Sequence, residues 1–447
     1  MADRRIRSLD ADVIVVGLGG LGSAAAYWLA RAGVRVLGFE QFEIGHDRGA
    51  SQDHSRLIRL SYHTEGYVRL ARAAYEVWSE VEDDSGDELV IRTGGLDLAP
   101  AGSSAPLGDY VTAMTAANVP FERLGADEVM HRWPQFRLGG DVDGIYQAET
   151  GICAAARANA AHVRLARERG ARLVERTPVT LVRSDGEGVE VRAGGEVFRA
   201  TRAIVTADAW TNNLLEPLGL RLPLVVTREQ VVYYVPLDAA AFAIGRFPSW
   251  IWSDVPSFYG FPIFRGEGPK VAEDIGGRTV TADGRDFEPD PVALDRLQAF
   301  VGGLLPGANA SIARIKTCLY TLTPDRDFVI DAVPGHPGVF LALGAAHSFK
   351  FASLIGRTLS ELATERAVSV DLAPFRIDRH VLTLADPPRS WMPGAPIEPD
   401  EAATRRTSCS DTSTVLSSST TLAGSPAERS AGSGSPCQEV TSPVCPT

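Results

Sequence analysis

The chain has 447 residues, 45% of them hydrophobic and 22% charged, enough for a large core and for two domains. A net charge of −12 argues against polyanion binding, so no nucleic-acid partner is expected. No apolar run reaches membrane-spanning length and the N-terminal MADRRIRSLDA lacks an apolar leader stretch, so a cytoplasmic protein without membrane attachment is expected.

The first element is a buried parallel strand, Val13-Ile14-Val15-Val16. Gly17-Leu18-Gly19-Gly20-Leu21-Gly22 follows, then a helix expected over 23–32 and a second apolar strand over 34–39 that ends on Glu40. Gly17 permits the tight turn, Gly19 admits a pyrophosphate, and Gly22 lets helix and strand pack closely. The helix N-terminus offers N–H groups to phosphate, and Glu40 lies at about the 20-residue spacing of a ribose-binding carboxylate. Strand, glycines, helix, strand and acid in register predict a dinucleotide site, with NAD and FAD both open.

A polar loop carrying Arg48, His54, Arg56, Arg59 and His63 comes next. Tyr67, Leu70, Ala71, Ala74, Tyr75, Trp78 and Val81 then recur at helical spacing and predict a core-facing helix. Short strands and helices alternate over 88–149; a helix is expected over 154–170 and a strand over 171–175. Residues 203–206 read as a return to the nucleotide-binding sheet. Strands are expected at 231–235, 258–264 and 312–320, with a helix at 291–304, and a last helix starts near Lys350. The pattern is α/β, with a nucleotide-binding domain from 1–87, 150–221 and 318–385 interleaved with a second domain from 88–149 and 222–317. Residues 395–447 are rich in Ser, Thr, Gly and Pro and are expected to be disordered.

Two features of composition bear on chemistry. The cysteines Cys153, Cys318, Cys409, Cys437 and Cys445 show neither metal-ligand spacing nor a disulfide framework, so no metal is expected. Lys and Arg total 44, yet the only lysines are Lys270, Lys316 and Lys350. In so arginine-rich a chain, a lysine is a candidate for a place that needs a compact ammonium.

The block Lys316-Thr317-Cys318-Leu319-Tyr320-Thr321-Leu322-Thr323-Pro324-Asp325, with Ser55-Arg56-Leu57-Ile58-Arg59 and His347-Ser348-Phe349-Lys350-Phe351, resembles the monomeric sarcosine oxidase and N-methyltryptophan oxidase family. These are FAD-dependent amine oxidases of the D-amino-acid-oxidase type, and the resemblance runs from about residue 12 to about residue 379. It implies a Rossmann-type FAD-binding domain interleaved with an α+β substrate domain built on a mainly antiparallel sheet. FAD is then expected against Gly17, Gly19, Gly22, Glu40, Ser55, Arg56, Gly344 and Lys350, joined covalently through Cys318. Arg56 and Lys316 are candidates for charge that favours the thiolate.

Further roles follow from the resemblance. Lys270, after Tyr259-Gly260-Phe261-Pro262, matches a lysine that contacts the flavin through a water and assists oxygen. Arg59 and Lys350 match a pair that holds the substrate carboxylate. His347 and Tyr259 border the amine, and Tyr320 belongs to the pocket. The expected reaction is oxidation of a secondary amino acid to an imine, with hydrogen peroxide released by a monomer. A flavin dehydrogenase and a silent flavin-binding protein are the alternatives. Departures from the family are Gln52, Asp208, Ala346, Ser348 and Asp274. Asp274, together with Trp250 and Trp252, suggests a cyclic or aromatic substrate.

Overall fold

The computed structural model describes residues 9–184 and 187–390; the expected tail, with Cys409, Cys437 and Cys445, lies outside the described residues. The apolar run at 13–16 forms the strand Ala11–Val16, in which Ile14 and Val15 are 0% exposed. It pairs in parallel with Val36–Phe39 on one side and Glu196–Val205 on the other. Burial on both faces explains why it shows no polar alternation. Arg172–Val174 and Val339–Leu343 extend the parallel sheet. The antiparallel strands Val329–Ala332, Val189–Ala193 and Val179–Ser184 bring it to eight.

The first helix spans Gly20–Arg31 and so starts earlier than the expected residue 23. Helix propensity argues against glycine in a first turn, but tertiary contacts override it. Gly17 adopts φ +86°, and a Cβ there would sit 2.6 Å from the Thr206 carbonyl oxygen. A Cβ on Gly22 would stand 1.8 Å from the Gly17 carbonyl oxygen. The first turn of the helix therefore lies directly on the strand ends.

The second sheet has nine strands and is antiparallel apart from the pairing of Ser249–Trp252 with Gly95–Pro100. Its longest ladder joins Val225–Val235 to Ser311–Leu322, placing Glu229 opposite Cys318 and Val231 opposite Lys316. The expected domain border between 317 and 318 falls inside this one strand. Side chains alternate along it, so neighbouring residues serve different layers. A small sheet of Arg56–Ile58, Gly151–Cys153 and Val90–Arg92 completes the fold.

The expected amphipathic helix spans Glu65–Ser85, opened by the Thr64 hydroxyl accepting the Tyr67 N–H and closed by Gly86 at φ 70°. Its face of Tyr67, Leu70, Ala71, Ala74, Trp78 and Val81 is buried. Trp78 Nε1 donates to the Lys350 carbonyl at 2.7 Å, tying this helix to the start of Ala352–Ala363. We expect Gly22→Ala to destabilise the protein by about 1–3 kcal/mol through overpacking and to lower its flavin content. Gly66→Ala, in the first turn of Glu65–Ser85 where a Cβ meets nothing within 4 Å, should keep the flavin content and raise stability by up to about 1 kcal/mol. Thermal melts and flavin absorbance check the pair.

Candidate active site

A cavity of about 670 Å³ runs from the glycine turn to the second sheet. At its first end lie Gly17, Gly19, Gly20 and Glu40. Glu40 Oε2 accepts the Leu18 N–H at 2.9 Å and Oε1 the Phe42 N–H at 3.1 Å. Burial alone would raise its pKa, but His46 and these two N–H groups hold it below the ordinary carboxylate range. Gly22 lies beneath the turn, against the Gly17 carbonyl, and does not itself line the cavity.

The loop at 50–55 forms the next wall. Arg56 NH1 donates to the Ser55 carbonyl and NH2 to the Ala50 carbonyl, each at 2.8 Å, and NH2 also reaches the Gln52 carbonyl. Arg56 thus folds the loop while staying on the cavity wall near Cys318. Gln52 donates to the Thr317 carbonyl, so its side chain joins loop to strand. Lys270 Nζ donates to Asp53 Oδ2 at 2.9 Å, Ser55 Oγ at 2.9 Å and the Ser55 carbonyl at 3.0 Å. An ammonium has three N–H donors, and all three are used here. With these acceptors in place, Lys270 faces the cavity as a charge held by Asp53 and Ser55.

Cys318 lines the same wall. Burial pushes its thiol up to about 11, against the pull of Arg56, Lys270 and Arg285, with Glu229 adding to the rise. Lys316 lies 3.6 Å from Asp53 Oδ1 and is the more exposed of that carboxylate's two lysines.

Arg59, Lys350, His347, Tyr259, Tyr320 and Asp274 meet in the deeper part of the cavity. Arg59 NH1 donates to the buried Asp97 Oδ1 at 2.7 Å, while its Nε is buried without a partner. Burial raises the Asp97 carboxyl, and Arg59 opposes that rise. Lys350 Nζ makes no hydrogen bond to any described residue and lies 5.8 Å from the Tyr62 ring centroid. Burial and Arg59 push its pKa down to about 7, with Asp274 and Asp97 acting the other way. His347 Nε2 lies 2.7 Å from the Arg326 carbonyl oxygen, and burial drives its pKa well below the ordinary value. A neutral ring facing a carbonyl must carry its proton on Nε2, which leaves Nδ1 as a buried acceptor without a partner. Tyr259 and Tyr320 hydroxyls are 3.4 Å apart.

Two expectations change. Trp250 does not border the cavity: Ile251 and Ser253 do, and strand alternation turns Trp250 and Trp252 to the other face. There both tryptophans pack near Phe300, with a Trp250 centroid separation of 6.3 Å, and the Trp250 ring covers Gly260. Asp274 does line the cavity, but Arg326 NH1 donates to its Oδ2 at 2.9 Å. The residues missed in the sequence are Asp53, Asp97 and Arg326. Arg326 sits inside the quoted Thr-Pro-Asp block's continuation, and Asp53 two positions before Ser55; nothing in the sequence pairs Asp97 with Arg59.

Asp208 keeps a left-handed φ of 45°, the conformation a glycine adopts freely. Burial pushes its carboxyl up to about 6 against the Thr321 hydroxyl and the Ala209 N–H. Ala346 is also left-handed, with φ 69°, and a Cβ on Gly344 would meet Ser348 Oγ at 1.9 Å. The residues present fit FAD: a helix N-terminus and buried carboxylate at one end, a thiol and cations at the other, and an elongated cavity between. Among the described residues no helix is long and apolar enough to cross a membrane, and no cluster of His, Cys, Asp or Glu could hold a metal.

Residues 12–362 match the family FAD dependent oxidoreductase (DAO). Monomeric sarcosine oxidase of Bacillus sp. (strain B-0618) is 34% identical over 379 residues, covering 83% of this chain and 96% of that protein. N-methyl-L-tryptophan oxidase of Salmonella arizonae is 32% identical over 375 residues, covering 82% and 98%. Among solved structures, the open form of NikD, an unusual amino acid oxidase essential for nikkomycin biosynthesis, superposes with a TM-score of 0.75 at 27% identity, covering 83% of this chain and 98% of that one. With this coverage and the geometry of the cavity together, the chain belongs to the DAO family, as an FAD-dependent oxidoreductase of the sarcosine oxidase and N-methyltryptophan oxidase type.

Proposed function

We propose that this protein is an oxidase of a secondary amino acid, N-methyl or cyclic, that yields an imine and hydrogen peroxide. The observation that carries this reading is the free Lys350 ammonium beside Arg59, whose Nε is also unpartnered, next to the His347 Nδ1 acceptor. The names of the relatives, sarcosine oxidase and N-methyl-L-tryptophan oxidase, supply the substrate class. The same reading includes a monomeric cytoplasmic enzyme with FAD attached through Cys318.

Bound FAD would supply the redox chemistry, taking a hydride from the carbon next to nitrogen and passing two electrons to oxygen. Lys350 and Arg59 would hold the carboxylate, fixing which C–H bond faces the cofactor. His347 Nδ1 would accept an N–H bond from the substrate amine. Tyr259 and Tyr320 would wall the reacting carbon from water. Lys270 would place positive charge where oxygen gains electrons. With Trp250 and Trp252 turned away and Asp274 held by Arg326, preference for a ring rests on the space between Tyr259, Tyr320 and Asp274.

A flavin dehydrogenase is the second reading, because the Lys270 charge is offset by Asp53. Anaerobic bleaching with sarcosine, N-methyltryptophan, proline, pipecolate and piperideine-2-carboxylate, then peroxide release in air, separates these readings. A cyclic or aromatic secondary amino acid should outcompete sarcosine. Lys270→Met should slow reoxidation by oxygen on the order of 10²–10³ while sparing flavin reduction. Unchanged reoxidation would remove the oxygen role.

Carboxylate binding should depend on pH through Lys350. As pH rises through about 7 the free ammonium loses its proton, so affinity for a carboxylate inhibitor should fall about tenfold per unit until the pKa of the complex is passed. Lys350→Met should bind about 1.5–3 kcal/mol more weakly and lose this limb. Flavin difference spectra across pH measure both.

Flavin should stay with the acid-precipitated wild-type protein and go to the supernatant for Cys318→Ala. The other described cysteine, Cys153, does not line the cavity. Yellow supernatant from the wild type would exclude the covalent link.

A further inference from the structure

We propose that Asp53 is the positioning residue for Lys270, holding its ammonium charged and pinned against the cavity wall; this rests on the oxygen role proposed for Lys270. The Asp53 side chain is 4% exposed and Lys270 is 3% exposed. Besides Lys270, Asp53 faces the Tyr233 hydroxyl at 2.6 and 2.7 Å, His54 Nδ1 at 3.1 Å, Lys316 Nζ at 3.6 Å and Arg56 NH1 at 4.0 Å. Two of the chain's three lysines therefore share one carboxylate.

Lys270 needs that anion. Its ammonium is 4.9 Å from the Phe261 ring centroid and 5.7 Å from that of Tyr233, with Arg56 adding repulsion. Cys318 on the strand Ser311–Leu322 also faces it, and Arg314 lies over Tyr233 at 4.7 Å. Glu267, 3.7 Å from His54, is half-exposed and one step removed. Ser55 supplies the other two acceptors, but a carbonyl and a hydroxyl bring no net charge. Burial lowers Lys270 to about 8, the largest influence on it, and Asp53 is the largest opposing one. An isolated buried lysine can fall to about 5–6. The geometry of Asp53 also has a cost: its φ of 83° is left-handed, a conformation that Asp and Asn tolerate better than most residues.

The scarcity of lysine makes the test direct. Side-chain ¹³C-lysine labelling of the flavin-loaded protein gives signals only from Lys270, Lys316 and Lys350, assigned with Lys316→Arg and Lys350→Met. In the wild type Lys270 should titrate near or above 8; a midpoint below about 6.5 would overturn the proposal, whatever the variants do. In Asp53→Asn, which keeps the left-handed preference, the Lys270 midpoint should fall by about 1–3 units and in Asp53→Glu return toward wild type. Lys350, set by Arg59, Arg326, Asp274 and Asp97, is the internal reference and should not move. An unmoved Lys270 midpoint in folded Asp53→Asn would also overturn the proposal. Reoxidation of Asp53→Asn should be slow at pH 7.5 and recover as pH falls. If the Lys270 midpoint shifts but neither Asp53→Asn nor Lys270→Met alters reoxidation, Asp53 still controls the charge and the oxygen role is what fails.

Discussion

An anion that the fold brings to a cation inside a low-dielectric cavity offsets the cost of burying its charge. Lys270, Arg59 and Arg326 all face one cavity, and each meets its own carboxylate: Asp53, Asp97 and Asp274. Such pairs add little net stability, because the desolvation of both charges offsets their attraction; removing one partner is what costs several kcal/mol. Their value here is positional. With these charges satisfied, Lys350 is left as an ammonium without a carboxylate contact, and the cavity acquires a place for an external anion.

The two sheets are arranged around this requirement. The parallel sheet ends at the glycine turn, where helix N–H groups and Glu40 face the cavity. The antiparallel sheet brings Lys270 and Asp274, on one strand, and Cys318, on Ser311–Leu322, to the opposite wall from either side of Val225–Val235. The loop at 50–55 spans the space between, stapled by Arg56 to its own carbonyls and by Gln52 to the strand Ser311–Leu322. A cluster around Arg379 holds the turn after that strand: its guanidinium binds Asp325 at 2.6 and 2.9 Å and the Phe328 and Asp327 carbonyls. Arg326, within that turn, then presents its carbonyl to His347 and its guanidinium to Asp274.

Of the ten left-handed non-glycine residues among those described, four line the cavity. Asp53, Asp208, Arg326 and Ala346 all have φ between 45° and 83° and all line the cavity. Each such residue costs on the order of 1–3 kcal/mol unless its side chain is tied down. Asp53 and Arg326 are tied by ion pairs, whereas Ala346 has no polar side chain to hold it. Its turn is bridged by the His347 N–H donating to the Gly344 carbonyl at 3.1 Å.

Short-range physics made much of this legible in the sequence. Strand, glycine turn, helix and Glu40 are determined by local periodicity and by steric limits at Gly17 and Gly22, so they could be read without coordinates. The face of the helix Glu65–Ser85 and the capped helix Pro291–Leu304 were equally local. The cavity residues that carry named chemistry, Lys270, Arg59, Lys350, His347 and Cys318, came from motif resemblance. Their ionic partners did not, because Asp53, Asp97 and Arg326 are chosen by strand register and loop closure across long sequence separations. Trp250 shows the same limit from the other side: its residue type suits a substrate pocket, but a one-residue alternation puts it in the core. The sequence determined which groups are present and how the nucleotide turn folds; only the tertiary structure decided which charges neutralise one another, because that depends on distances between segments that have no local preference for each other.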